Sequence, residues 1–288
     1  MPERDFLEST FTNAAGEDFR VLHWPAEGSD VVFLVHHGLG EHIGRYQTFA
    51  DALTELPMHM WGYDVRGHGR SVGKPGGVEA LDQLVDDLVE MVPVCLEQTG
   101  AKQVVLFGHS MGGAVVTRYL THRHLHDAIR ASIVSAPPVK VDLNFKQRVK
   151  IASGRLLRSI APGLTLANEL DKTSISSVPA EVERYLSDPL VHDQIGVGLG
   201  ISLVDEGPNI IANAHRVRIP ILVYHGADDG IVPIEGSREF FRNVASDDKV
   251  MHEFAGARHE VHHDHPDAVA QLFTHISDFV QTRLSPSA

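Results

Sequence analysis

Residues 103–120 read QVVLFGHSMGGAVVTRYL. An apolar, β-branched run passes straight into Gly108-His109-Ser110-Met111-Gly112, and a helical pattern of apolar residues follows. This order predicts a strand, an abrupt turn and a helix. Such a turn needs small residues on both sides of the serine. It lifts the Ser110 hydroxyl above the strand end and directs the first amides of the following helix at whatever reacts there.

Outward from this turn the same rhythm repeats. Strands are expected at 31–38, 58–64, 103–110, 131–137, 219–226 and 249–256, with helices near 45–55, 78–99, 111–126, 235–245 and 267–283. Apolar strands alternating with helices imply βαβ units and a mainly parallel sheet covered on both faces. The stretch STFTNAAGEDFRVLHWP, 9–25, alternates more weakly around a turn and is expected to form an antiparallel hairpin at the sheet edge. Between Pro137 and Pro220 no strand is evident, and a compact sheet does not leave about eighty residues as a bare connection. The reading is therefore a core of residues 1–137 and 217–288, with 138–216 inserted between two strands as a helical cap.

Composition bounds the possibilities. The chain has 288 residues, 43% hydrophobic and 22% charged, as a soluble globular protein does. A formal charge of −13 argues against nucleic acid as a partner. The single cysteine, Cys95, cannot form an internal disulfide and is expected to be a buried thiol. The N-terminus MPERDFLEST has no apolar core of a signal peptide, so a cytoplasmic setting is expected.

A serine hydroxyl becomes a nucleophile only when a base takes its proton. His259 follows the last predicted strand, and Asp228 and Asp229 follow the one before it, so the chain order Ser, Asp, His is complete. His259-Glu260-Val261-His262-His263 also matches H-E-x-x-H, a zinc-binding pattern. That pattern needs a helix that puts both histidines on one face. Here it starts three residues after Gly256 and ends three before Pro266, directly after a strand, and reads as a loop. No metal or organic cofactor is expected. The glycine-rich YDVRGHGRSVGKPGG, 63–77, fits no phosphate-binding pattern and reads as a supporting turn.

Taken together, HHGLGEHIGRY, GYDVRGHGRS, GHSMGG, HGADDGIVP and GARHEVHH resemble the α/β-hydrolase superfamily, and within it the monoacylglycerol lipase and lysophospholipase group of serine esterases. The resemblance runs from about residue 31 to 265. The resemblance implies an α/β-hydrolase fold, Ser110 as nucleophile, His259 as base and Asp229, rather than Asp228, as the acid. Asp228 is then left to cap or brace the turn. It also implies an oxyanion hole from the amides of Leu39 and Met111, and a polar pocket wall from Glu41, Arg45, His109 and His262. The substrate implied is a lipid-like carboxylic ester, monoacylglycerol before lysophospholipids or short-chain esters. A non-catalytic small-molecule receptor on the same fold is the alternative of another class, but a binding site does not require an intact Ser, Asp and His.

The cap adds one expectation. Residues 138–172 carry seven Lys or Arg (Lys140, Lys146, Arg148, Lys150, Arg155, Arg158, Lys172) against Asp142, Glu169 and Asp171, a net of +4 in a strongly acidic chain. Interleaved apolar residues such as Phe145, Leu156 and Leu164 give it an amphipathic cast. Peripheral contact with an anionic membrane through the cap is the reading.

Overall fold

The strand Val31–His36 (β3) is buried at every position, and its alternate side chains serve two different cores. Val32 and Leu34 join one apolar cluster, whereas Val31, Phe33 and Val35 join another. Strand Gln103–His109 (β5) repeats the division, with Val104 and Leu106 on one side and Val105 and Phe107 on the other. A two-residue side-chain period explains both runs: each strand is covered on both faces. This architecture was obtained from a computed structural model, which describes residues 4–141, 154, 155, 161 and 164–284.

The remaining sheet strands are Leu7–Thr12 (β1), Asp18–Trp24 (β2), His59–Tyr63 (β4), Ile129–Ser135 (β6), Ile221–Gly226 (β9) and Lys249–Phe254 (β10). The eight lie in the order β1-β2-β4-β3-β5-β6-β9-β10. Pairing is parallel from β4 to β10, and β1 and β2 form the expected antiparallel hairpin at one edge. Helices Leu81–Thr99 (α2) and Met111–His122 (α3) cover one face, while Gln47–Ala52 (α1) and Pro266–Leu284 (α7) cover the other. Helix α6, Ile234–Asn243, follows β9. Among the described residues no helix is long and apolar enough to cross a membrane.

Because β6 and β9 are neighbours, the chain between them leaves and returns at adjacent strands. Two elements there correct the expectation of no strand: Thr165–Ala167 (β7) and Gln194–Gly196 (β8) pair as a small antiparallel ribbon. Three-residue strands are too short to show an alternating pattern. Helices Pro179–Ser187 (α4) and Val197–Asn213 (α5) complete the segment. The latter does not stand apart, since Leu199, Ile210 and Ile211 join the same cluster as α2 and α3. Of the basic residues noted above, Lys146, Arg148, Lys150 and Arg158 lie outside the described residues, as do Phe145 and Leu156.

The strands β3, β5, β6, β9 and β10 run the same way, so the loops after them gather at one edge. Leu39, Ser110, Asp229 and His259 all sit in those loops.

Candidate active site

The turn between β5 and α3 explains its own sequence. Ser110 has φ 53 and ψ −121, a left-handed conformation costly for a non-glycine residue. A side chain on Gly108 would collide with the carbonyl of Gly112, and one on Gly112 with the carbonyl of His36. The backbone therefore closes only with glycine at both places. It is held from below by Ser110 N–H donating to Ser135 O at 2.9 Å.

Around the exposed hydroxyl the three expected groups meet. His259 Nε2 lies 2.9 Å from Ser110 Oγ, and His259 Nδ1 lies 2.7 Å from Asp229 Oδ2. An ionised carboxylate only accepts, so Nδ1 carries the proton and Nε2 is left to accept from the serine. Asp229 Oδ1 accepts from the amides of Ile231 and Val232 at 2.8 and 2.9 Å. Burial opposes charge on Asp229, but the imidazoles of His259 and His225 overcome it and hold the carboxyl well below its usual range. Burial likewise works against a charged His259, and Asp229 outweighs it, leaving the imidazole more basic than an ordinary histidine. Asp228 is exposed and its side chain makes no hydrogen bond with the described residues, so it does not brace the turn. Only its amide does, donating to Ala257 O at 3.0 Å.

One residue that the sequence reading missed completes the cluster. His225, the penultimate residue of β9 and fully buried, places Nε2 2.9 Å from Asp229 Oδ2 and Nδ1 2.7 Å from Ser237 Oγ. It stands four residues before the aspartate, and a buried polar residue in an otherwise apolar strand was the available signal.

Ser110 lies at the junction of two hollows. One has a mixed wall, in which Glu41, His109, Lys172 and Glu260 stand beside Leu39, Leu170, Ile175 and Ile231. The second is a cavity of about 170 Å³ with walls from Met111, Ile195, Leu203, Val204 and Val232. Leu39 borders both. Its amide belongs to a peptide whose orientation is fixed. His37 Nε2 accepts from Val65 N–H at 2.8 Å, so Nδ1 is protonated and donates to Gly38 O at 2.8 Å. In a trans peptide the Leu39 N–H then points the opposite way from that carbonyl. Met111 opens helix α3, where the amide precedes the helical ladder.

The polar wall is only partly as expected. Glu41 lines the hollow, with its oxygens engaged by Gly38 N–H at 2.6 Å, Tyr46 Oη at 3.0 Å and Arg45 at 2.7 Å. His109 lines it too, bonded to Ser135 Oγ at 2.9 Å; burial, with His259 beside it, lowers its pKa to about 3 and keeps it neutral. Arg45 does not face the cavity. It stands behind the wall, clamping Glu260 through two bonds at 2.8 and 2.7 Å and lying 4.7 Å from the Tyr185 ring centre. His262 is also misplaced by the sequence reading: it is 2% exposed, packed under His109 at 4.9 Å and against Tyr46 and Phe49. Both its ring nitrogens lack a partner among the described residues. Direction decides these cases, because both residues sit on the correct segments but turn inward. Tyr185, which does line the hollow, comes from α4 and was not foreseen.

Val261–His263 is a single 3-10 turn rather than an α-helix. His259 is committed to Asp229 and Ser110, so the two histidines of H-E-x-x-H do not converge. Glu260, His262 and His263 do bring ligand atoms within 4.8 Å of one another. However, the Arg45 guanidinium already occupies both oxygens of Glu260, which makes a poor cradle for a second cation.

The profile of Hydrolase_4, described as serine aminopeptidase, S33, matches residues 27–266. The chain belongs to the Hydrolase_4 family. Within that setting it is 32% identical to a monoacylglycerol lipase of Mycolicibacterium smegmatis, over 80% of this chain and 81% of that protein. The monoglyceride lipase of Rattus norvegicus is 28% identical, covering 95% and 90% of the two chains. Among solved structures, a monoacylglycerol lipase of Paleococcus ferrophilus superposes with a TM-score of 0.80 at 33% identity, over 97% of this chain and 99% of that one. A monoglyceride lipase variant of Saccharomyces cerevisiae, at 23% identity and a TM-score of 0.84 over 97% of each chain, shares the fold. The Hydrolase_4 chain described here is thus an α/β hydrolase of the monoacylglycerol lipase-like group.

Proposed function

We propose that the protein hydrolyses lipid-like carboxylic monoesters, monoacylglycerol first among them. The observation that carries this is the position of Ser110 between an apolar hollow and a second one with a polar side formed by Glu41, His109 and Glu260. An ester with one acyl chain and one small hydroxylated alcohol fits that division, with its carbonyl over the serine. The relatives named for monoacylglycerol hydrolysis support the same substrate class. A peptidase acting at a free N-terminus needs a carboxylate open to an ammonium, and Glu41 and Glu260 are tied to Arg45 instead.

In this reading Ser110 Oγ attacks the carbonyl as its proton passes to His259 Nε2. Asp229 keeps the imidazole in the tautomer that can accept and stabilises the cation that forms. The amides of Leu39 and Met111 stabilise the tetrahedral oxyanion. His259 protonates the departing alcohol, which leaves past Glu41, His109 and Tyr185. Water, activated by the same histidine, then attacks the acyl-enzyme, releasing the acid and restoring the serine. Residues 138–216 act as the cap over this chemistry, and 1–137 with 217–288 carry it.

Contact with a lipid surface belongs to the same proposal. Leu164, Leu166 and Leu170 are 37%, 52% and 42% exposed, and Leu170 also lines both hollows. An apolar rim continuous with the acyl hollow suits a substrate drawn from a bilayer. The deciding experiment is a hydrolysis panel of monoacylglycerols, lysophospholipids, aminoacyl amides and triacylglycerols. Monoacylglycerol should be cleaved fastest and triacylglycerol slowly; faster turnover of lysophosphatidylcholine would transfer the assignment to lysophospholipids.

A further inference from the structure

Helix α5 carries three glycines, Gly198, Gly200 and Gly207, inside its own length. Glycine within a helix is less stable than alanine, because it gives up more chain freedom and brings no side chain to pack. Two of the three have a steric reason. A β-carbon on Gly198 would collide with the carbonyl of Glu79, and one on Gly207 with the carbonyl of Val139. Close backbone approach leaves only glycine at those two positions.

Gly200 has no such reason. Its backbone is not left-handed, and among the described residues a β-carbon there would meet only Ile195 Cδ1, at 3.6 Å, an ordinary van der Waals contact. What it does face is the apolar hollow beside Ser110. Gly200, Leu203 and Val204 stand at i, i+3 and i+4 and form the strip of α5 that lines that hollow. Leu199 beside it, and Ile210 and Ile211 two turns further along, are committed to the core. Among the described residues the wall of the hollow is therefore set back by one side chain at position 200, with Ile195 as its one near neighbour.

We propose that Gly200 is the gauge of acyl-chain length: its missing side chain keeps the apolar hollow deep enough for a long chain, and the residue at 200 sets the longest chain accepted. This rests on the placement of the acyl group argued under Proposed function. A side chain introduced here projects into the acyl hollow from α5, a helix that carries none of Ser110, Asp229 or His259, so its effect is read as a ratio between long and short chains.

The test uses the full-length protein and its Gly200→Ala, Gly200→Leu and Gly200→Phe variants, each checked for an intact melting transition. kcat/KM is measured for butanoyl, octanoyl and hexadecanoyl monoglycerides, and in parallel the rates at which butyl and hexadecyl fluorophosphonates label Ser110. Each methylene shut out of an apolar site costs about fourfold in kcat/KM. Gly200→Leu and Gly200→Phe should therefore lower the hexadecanoyl-to-butanoyl ratio by about tenfold or more, with the labelling ratio falling in step. Gly200→Ala should stay within about threefold of wild type, since a methyl adds little bulk. An unchanged ratio in a folded Gly200→Phe protein overturns the gauge alone, and so does an equal loss at every chain length. Failure of every phosphonate to label Ser110 removes the esterase reading and the gauge with it.

Discussion

His225 and His259 meet on one oxygen of Asp229, at 2.9 and 2.7 Å from Oδ2. His225 Nε2 also faces Val232 O at 3.1 Å, and since both of its partners only accept, it must carry a proton. Nδ1 lies 2.7 Å from the Ser237 hydroxyl, which holds the ring in that orientation. The His225 imidazole thus acts as a fixed donor into the acid that orients the base.

Replacing His225 with Leu removes that donor and leaves Asp229 a stronger partner for the His259 cation. The acid limb of the kcat/KM profile should move to higher pH by about half a unit, with kcat falling about tenfold for one lost buried hydrogen bond. His225→Gln, which retains an N–H in reach, should recover most of both. A shift of the same size in the Leu and Gln variants would reduce His225 to a packing residue. In the wild type itself, the raised pKa of His259 places this acid limb above the ordinary histidine value, because only the neutral ring can accept the serine proton.

Ser110→Ala should abolish both turnover and labelling by fluorophosphonates. Strong chelators should leave activity intact. Loss on chelation, with recovery on adding zinc, would return attention to Glu260, His262 and His263.

The adjacent aspartates should differ sharply. Asp229→Asn presents an amide to His259 Nδ1 and should lower kcat by about 10⁴, as wrong-tautomer substitutions do. Asp228→Asn, at an exposed side chain, should leave kcat within about twofold of wild type, within the range of a neutral surface substitution.

Arg45→Met should be expressed poorly and melt low. It leaves Glu41 and Glu260 buried without their cation, a loss of about 3–5 kcal/mol for a broken buried pair. The pH dependence provides a signature. In the wild type, burial works against both carboxylates, but Arg45 holds them below their usual pKa, so their contribution is present above about pH 4.5 and is lost on further acidification. Without Arg45, burial raises both pKa values, so the variant should gain stability as pH falls from 8 to 5. Thermal melts across that range should rise for the variant as pH falls, whereas this cluster gives the wild type no slope until below about pH 4.5.

The protein should sediment with anionic liposomes at low salt and leave them at high salt. Leu164→Asp with Leu166→Asp should weaken sedimentation while sparing a water-soluble short-chain ester. Indifference of the wild type to such liposomes would make the cap a lid and nothing more.

Strong local signals made most of the scaffold legible. The strands of the parallel sheet are apolar on both sides and punctuated by turns, and Gly108 and Gly112 announce a backbone that closes in one way. Asp229 and His259 could be placed because each directly follows such a strand. The sequence reading missed whatever depends on direction or on distant packing. Arg45 and His262 lie on the right segments but turn behind the wall, which no spacing rule reveals. Tyr185 reaches the site from a cap helix with no chemical motif of its own, and the β7–β8 ribbon is too short to show a period.

The stretch from Asp188 to Gly198 has a mechanical meaning. Asp188 Oδ2 meets His42 Nε2 at 2.9 Å, His192 N–H donates to Gly40 O at 3.0 Å, and His192 Nε2 donates to Gly67 O at 3.0 Å. Gly40 and Gly76 leave no room for a β-carbon beneath this strap. It is riveted to the very loop that carries the Leu39 amide. Lifting the roof on that side would pull the oxyanion loop out of register. Any opening that preserves the oxyanion loop must therefore leave this strap in place.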